Sequence, residues 1–231
     1  MLKNTKTALV TGGATRVGLI IVEYLLSRGY NIALHYNTSK DNAIKIKDKY
    51  PNRITLFNCD FSYIEQIVPF IDSVIATIGN IDLLVNSAAV FNKIPLTETS
   101  VDQLVDEFKI NFFAPYLLSS RYIKTQKEGL IINIADAKTN NNIPKMSAYL
   151  LSKKTLVEFT KLAALETGTK IRINTISPGY LLKPTNLDNY TTEIPVSKKV
   201  TIQDFHKALE YIIDSPSVHG QNIVIDGGLY I

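Results

Sequence analysis

The chain has 231 residues, 45% of them hydrophobic and 20% charged, and its 25 basic and 21 acidic side chains leave a net charge of +4. This composition excludes a wholly disordered, collagen-like or coiled-coil chain, and the scattered basic residues argue against nucleic-acid binding. The single cysteine, Cys59, excludes an intrachain disulfide and a cysteine-built zinc site, and no apolar stretch approaches the roughly 18 residues of a membrane span. The N-terminal apolar run is too short for a signal-peptide core, and no small-residue cleavage site follows it. A cytoplasmic protein without membrane, nucleic-acid or metal partner is expected.

In chain order, residues 7–10 read as a buried strand, and 17–28 as a helix ended by Gly29. A strand follows over 31–36, then a charged helix over 41–50 stopped by Pro51, then a strand over 54–59. Residues 62–78 are helical, with Ser62 and Glu65 as a capping-box pair. A strand is expected over 82–86, a long helix bent at Pro115 over 101–124, and a strand over 130–135. An amphipathic helix over 147–166 leads to a strand over 170–177, stopped by Pro178-Gly179. A helix over 202–214 and a strand over 222–226 close the pattern. Short, apolar, β-branched strands alternating with helices specify an α/β fold. The expected fold is one doubly wound Rossmann-type domain, 1–231, whose seven-stranded parallel sheet carries helices on both faces. The irregular segment 181–200 falls after strand six, on the edge where ligands bind, and reads as a substrate lid.

Strand one ends in Thr11-Gly12-Gly13-Ala14-Thr15-Arg16-Val17-Gly18, where a helix begins. A glycine-rich strand-to-helix turn lets the backbone approach a pyrophosphate, and the helix N-terminus offers free N–H groups. Strand two ends in His35 and Tyr36, and Asn37, Thr38, Ser39 and Lys40 follow, with no acid in the segment to hold ribose hydroxyls. Hydroxyls, a histidine and nearby cations suit a 2′-phosphate, so NADPH is the expected cofactor. The same loop also reads as a cap for the next helix, through Thr38 or Ser39.

Tyr149 and Lys153 lie four residues apart, on one face of a helix. A phenol titrates near 10, and a neighbouring ammonium is expected to lower that value and ready it for proton transfer. Asp136 stands 13 residues upstream of Tyr149, just past strand five, and Asn111 lies in the helix before that strand.

With these marks the chain resembles the short-chain dehydrogenases/reductases. They are Thr11-Gly12 with Gly18, Asp60, Asn86-Ser87-Ala88, Asn111, Tyr149 with Lys153, Pro178-Gly179 and Asp226-Gly227-Gly228. The resemblance implies that Gly12, Thr15, Arg16, Val17 and Gly18 cradle the cofactor phosphates, and that Asp60, beside Phe61, holds the adenine amine. It implies that Asn86, Ser87 and Ala88 pack beside the adenine ribose and that Pro178 and Gly179 complete the cofactor site. Lys153 is implied to hold the nicotinamide ribose, Asn111 to anchor a water-linked proton relay through Lys153, and the protein to be a homotetramer.

Two departures narrow the resemblance. Most members carry serine where Asp136 stands and glycine where Arg16 stands. A carboxylate serves a substrate carbonyl poorly, because two acceptors repel. Asp136 either orients Tyr149 or holds a ring amine. Arg16, Asp136, His35-Tyr36 and Phe91 together resemble the pteridine reductases and dihydromonapterin reductases, which implies that Phe91 and the nicotinamide sandwich a flat pterin and that Arg16 reaches cofactor and substrate. The expected activity is NADPH-dependent hydride transfer to a C=N bond of a dihydropterin, dihydromonapterin or a relative, dihydrofolate included. The alternatives are a ketone or 3-ketoacyl reductase of the same fold, and a non-catalytic NADP(H)-binding regulatory protein.

Overall fold

Side chains of a strand alternate between the two faces of a sheet, and here both faces are buried. The computed structural model describes residues 5–168, 170–182 and 199–230. Its strands are β1 (Thr7–Val10), β2 (Asn31–Tyr36), β3 (Ile54–Asn58), β4 (Leu83–Asn86), β5 (Gly129–Ile134), β6 (Ile171–Pro178) and β7 (Asn222–Ile225). They form one parallel sheet in the order β3-β2-β1-β4-β5-β6-β7. Ala8, Val10, Ile32, Leu34, Leu83, Val85 and Ile132 face helices α1 (Arg16–Ser27) and α7 (Ile202–Asp214). Leu9, Ala33, Leu84, Ile131 and Ile173 face α3 (Ile67–Ile78), α5 (Ala114–Thr125) and α6 (Ser147–Thr167). The remaining helices are α2 (Lys40–Lys49) and α4 (Val101–Phe108). The order reverses between β1 and β4, so a crevice opens at the carboxyl ends of these strands.

The helices depart from expectation in three places. The single helix expected over 101–124 is α4, a π-helical stretch (Lys109–Phe113) and α5, with Pro115 in the first turn of α5. Pro115 has no N–H to return to the carbonyl of Asn111, so the α-helical ladder breaks there. The capping box expected at Ser62 and Glu65 does not form. The Ser62 N–H donates to Asp60 Oδ1 at 2.9 Å instead, and a 3₁₀ turn (Ile64–Gln66) precedes α3. Capping boxes are built by Ser100 with Gln103 at α4 and by Thr201 with Asp204 at α7. Ser39 is the N-cap of α2 but makes no side-chain capping bond. Most of the lid read at 181–200 lies outside the described residues. No helix among them is long and apolar enough to cross a membrane.

Candidate active site

Because every strand is parallel, the loops after β1 to β6 meet on one edge. Gly12 has φ +63, and a Cβ there would press on the backbone of Ala88, so only glycine lets these two turns touch. The Thr11 hydroxyl ties them together, accepting the N–H groups of Ser87 (2.9 Å) and Ala88 (3.0 Å). A Cβ on Gly18 would run into the Gly12 carbonyl oxygen, so α1 packs onto the turn only through glycine. Thr15, the N-cap of α1, makes no side-chain capping hydrogen bond, and the first turn carries no acid. The turn is thus built for an anion, which its backbone N–H groups and helix dipole would hold. Val17 packs on the core behind it. Arg16 is exposed and has φ +50, a left-handed conformation that glycine adopts freely and arginine adopts at about 1–2 kcal/mol. Gly18→Ala is therefore expected to weaken NADPH binding at least about tenfold while the sheet stays folded, as read by NADPH fluorescence titration beside thermal melting.

His35 has a different place from the one expected. Its ring is buried, stacked on Phe61 at 4.2 Å, with Nδ1 accepting the Gly12 N–H (3.1 Å) and Nε2 3.0 Å from the Cys59 carbonyl. Burial lowers its pKa to about 4. The imidazole is neutral, with both nitrogens engaged, and it supports the phosphate turn from beneath rather than offering a cation to a 2′-phosphate. Phe61 is equally buried, so its side chain belongs to this support. Asn37, Thr38 and Lys40 are exposed around half-buried Tyr36 and Ser39, and Asn58 Nδ2 braces the loop at the carbonyls of Tyr36 (3.0 Å) and Asn37 (2.8 Å). Asp60 is held below the usual carboxylate range, chiefly by the Ser62 N–H. Asn86 is buried, donating to Ser119 Oγ (3.2 Å) and Asn133 Oδ1 (2.8 Å), while its own Oδ1 has no protein partner. Pro178 ends β6 and Gly179 follows it, where a Cβ would press on Asp226.

At the end of β5 the Tyr149 hydroxyl donates to Asp136 Oδ2 at 2.8 Å. The Phe91 and Tyr149 rings meet in a T-shaped pair at a centroid distance of 4.8 Å, and Phe91 is 52% exposed. Lys153 is buried and donates to the Ile134 carbonyl at 2.9 Å. The expectation that Lys153 lowers the phenol's pKa is corrected by this arrangement. Burial, with the charge and hydrogen bond of Asp136, holds Tyr149 well above its ordinary value, so the phenol is neutral and carries its proton. It is Lys153 that moves toward neutrality: burial lowers its ammonium to about 8, against the pull of Asp136 and Glu107.

The Asn111 side chain bonds the backbone of Val90, accepting its N–H (3.0 Å) and donating to its carbonyl (2.9 Å). The Asn111 carbonyl is the one that Pro115 deprives of its α-helical donor. A lone helix-interior asparagine gave no hint of this. The π-helical stretch is a known mark of functional sites.

Four residues of the site escaped the sequence reading. Lys138 is buried, with Nζ at 3.2 and 3.4 Å from the two Asp136 carboxylate oxygens and above the rings of Tyr180 (4.5 Å) and Tyr230 (5.9 Å). Glu107, buried on α4, accepts from Asn111 and Asn92. For Lys138 and Glu107, proximity to Asp136 and the four-residue spacing to Asn111 were the available signals. Tyr180 and Tyr230 had none.

A model of the short chain dehydrogenase family matches residues 6–193. The chain belongs to this family. Among curated relatives, it is 25% identical to a 3-oxoacyl-[acyl-carrier-protein] reductase of Bos taurus, over 98% of each chain. It is also 25% identical to the 3-oxoacyl-[acyl-carrier-protein] reductase FabG of Staphylococcus aureus, over 100% of each. Among solved structures, FolM alternative dihydrofolate reductase 1 from Brucella suis, in complex with NADP, superposes with a TM-score of 0.89 at 28% identity, covering 97% of this chain and 95% of that one. A blue fluorescent protein from a metagenomic library, in complex with NADPH, has a TM-score of 0.88 at 25% identity and covers 99% of each chain. In this chain Asp136 and Phe91 lie against Tyr149, Lys153 stands one turn further along the same helix, and Asn111 is bonded to Val90 and Glu107.

Proposed function

We propose that this short-chain dehydrogenase is an NADPH-dependent reductase of a dihydropterin, dihydromonapterin or a related compound, with dihydrofolate a further candidate. The observation that carries the reading is the 2.8 Å hydrogen bond from Tyr149 to Asp136. A carboxylate against the phenol repels a carbonyl oxygen and accepts the N–H groups of an amino-substituted nitrogen heterocycle. Phe91, half exposed beside Tyr149, offers an aromatic face for a flat bicycle. The likeness to a NADP-bound alternative dihydrofolate reductase supports both cofactor and substrate class.

The cofactor fits the turn at Gly12–Gly18, and when bound it supplies a hydride. Tyr149, kept protonated, gives its proton to the ring nitrogen. Lys153, with its pKa near 8, is poised to return one near neutral pH. The Asn111 carbonyl, freed by Pro115, is an acceptor for the water that would link Lys153 to solvent. Asp136 holds the phenol in place and receives the substrate's ring amine. The 3-oxoacyl reductases among the relatives favour a second reading, ketone or 3-ketoacyl reduction. The carboxylate of Asp136 opposes it.

NADPH oxidation with a panel of dihydropterins, dihydrofolate and simple ketones tests the choice, and turnover of ketones alone overturns the pterin reading. Asp136→Ser is expected to lower pterin reduction about ten- to a hundredfold, the effect of one charge-assisted hydrogen bond; an unchanged rate removes Asp136 from substrate binding. Exposed apolar side chains on α4, α5, α6 and the π-helical stretch, among them Leu104, Phe113, Tyr116, Leu162 and Leu165, support a homotetramer built on these helices. A cytoplasmic location is part of the same reading.

A further inference from the structure

Phe91 stands on a connection, residues 87–95, that contains no helix or strand. A half-exposed ring on such a loop has many orientations open to it unless its neighbours are held. Here both are held. Val90, on one side, exchanges two hydrogen bonds with the Asn111 side chain at 3.0 and 2.9 Å. Asn92, on the other, donates from its backbone N–H (2.8 Å) and its Nδ2 (3.0 Å) to Glu107 Oε1. Glu107 Oε2 in turn accepts from Asn111 Nδ2 at 2.7 Å, which joins the two holds into one. Glu107 and Asn111 are 1% and 0% exposed. The contacts from Asn92 and Asn111 each give Glu107 an N–H, so the pocket suits a carboxylate, a group unfavourable to bury without such donors.

We propose that Glu107 is a positioning residue for the substrate ring: with Asn111 it clamps the residues on either side of Phe91 and fixes that ring against Tyr149. The inference rests on Phe91 being the face on which the flat substrate lies. The clamp also gives Asn111 a second task, because the residue whose carbonyl Pro115 frees for the proton relay holds the ring platform with its side chain. Glu107 hydrogen-bonds to Asn92 and Asn111 and at no point touches the reacting atoms; beyond the clamp it reaches Lys153 through its charge alone.

Glu107→Gln tests this, since it replaces one acceptor oxygen with an amide that opposes Asn92 or Asn111 at nearly unchanged volume. The expected result is a KM for the dihydropterin raised about tenfold, with kcat and the NADPH dissociation constant within a factor of about two. In a Phe91→Ala background the same change is expected to add nothing, because the ring it positions is gone. Hydrogen exchange is expected to quicken at the Val90 and Asn92 amides and to stay unchanged at Ile131 in the sheet. Additive effects of the two substitutions, a fall in kcat at unchanged KM, or unaltered exchange at Val90 and Asn92 each overturn the clamp. If the wild-type protein turns over no dihydropterin, the pterin reading falls, and the exchange measurement, which needs no substrate, still decides on the clamp.

Discussion

Tyr149→Phe lowers turnover by about 10²–10⁴ and leaves NADPH affinity within a factor of about two, because it removes the proton donor and nothing that holds the cofactor phosphates. The phenol is suited to donation by its surroundings. Burial and the Asp136 carboxylate keep it protonated well beyond its ordinary value, so the full population carries the proton at neutral pH. Phenylalanine keeps the ring that forms the T-shaped pair with Phe91. Asp136 keeps the Lys138 ammonium and N–H as partners, so no buried carboxylate is orphaned and the variant folds. Single-turnover NADPH oxidation isolates the chemical step, and NADPH fluorescence titration checks the cofactor. Unchanged single-turnover rates would remove Tyr149 from the mechanism.

Lys153→Met abolishes turnover and at the same time stabilises the fold by about 2–3 kcal/mol at pH 7. The ammonium ordinarily titrates at 10.5 and is lowered to about 8 by burial, a difference worth about 3 kcal/mol against the folded state, less about 1 kcal/mol for the lost bond to the Ile134 carbonyl. The pH dependence has a definite sign. Below pH 8 folded and unfolded chains both carry the charge, and the whole penalty is present. Above 8 the folded protein sheds the proton while the unfolded chain retains it, so wild-type stability rises with pH. The clean window is pH 8 to 9. Beyond it Cys59, which burial raises from 9.0 to about 11, makes stability fall with pH. Urea unfolding at pH 7, 8 and 9 is expected to show the rise in the wild-type protein and not in Lys153→Met. A variant less stable than wild type at pH 7 would refute the penalty. This outcome would mark Lys153 as a group kept at the expense of stability, as the proposed proton-transfer role requires.

The strand pattern was legible because each strand buries both faces and therefore reads as a short β-branched run. Parallel order and the crevice between β1 and β4 follow from alternation with helices. Position along the chain likewise marked the phosphate turn, Tyr149 with Lys153, and Asp136. Composition could not reveal the break at Lys109–Phe113, since a π-helical stretch and a proline bend share the same residues until the ladder is traced. His35 illustrates the converse case. A histidine at the end of a strand reads as a phosphate ligand, and only the stacking on Phe61 and the engagement of both ring nitrogens show it to be a buried support.

What the amino-acid order determined by itself was local: where strands and helices begin, that the first turn accommodates an anion, and that a phenol and an ammonium share a helical face. What the tertiary structure decided was electrostatic. Whether Tyr149 is acid or phenolate, whether Lys153 is charged, and whether Glu107 and Lys138 matter at all depend on solvent exclusion and on partners that folding brings to 2.8–3.2 Å, most of them from other segments of the chain. Dihedral preferences and apolar periodicity act over a few residues and are written along the chain. Desolvation and charge pairing exist only once the loops after the parallel strands converge on one edge.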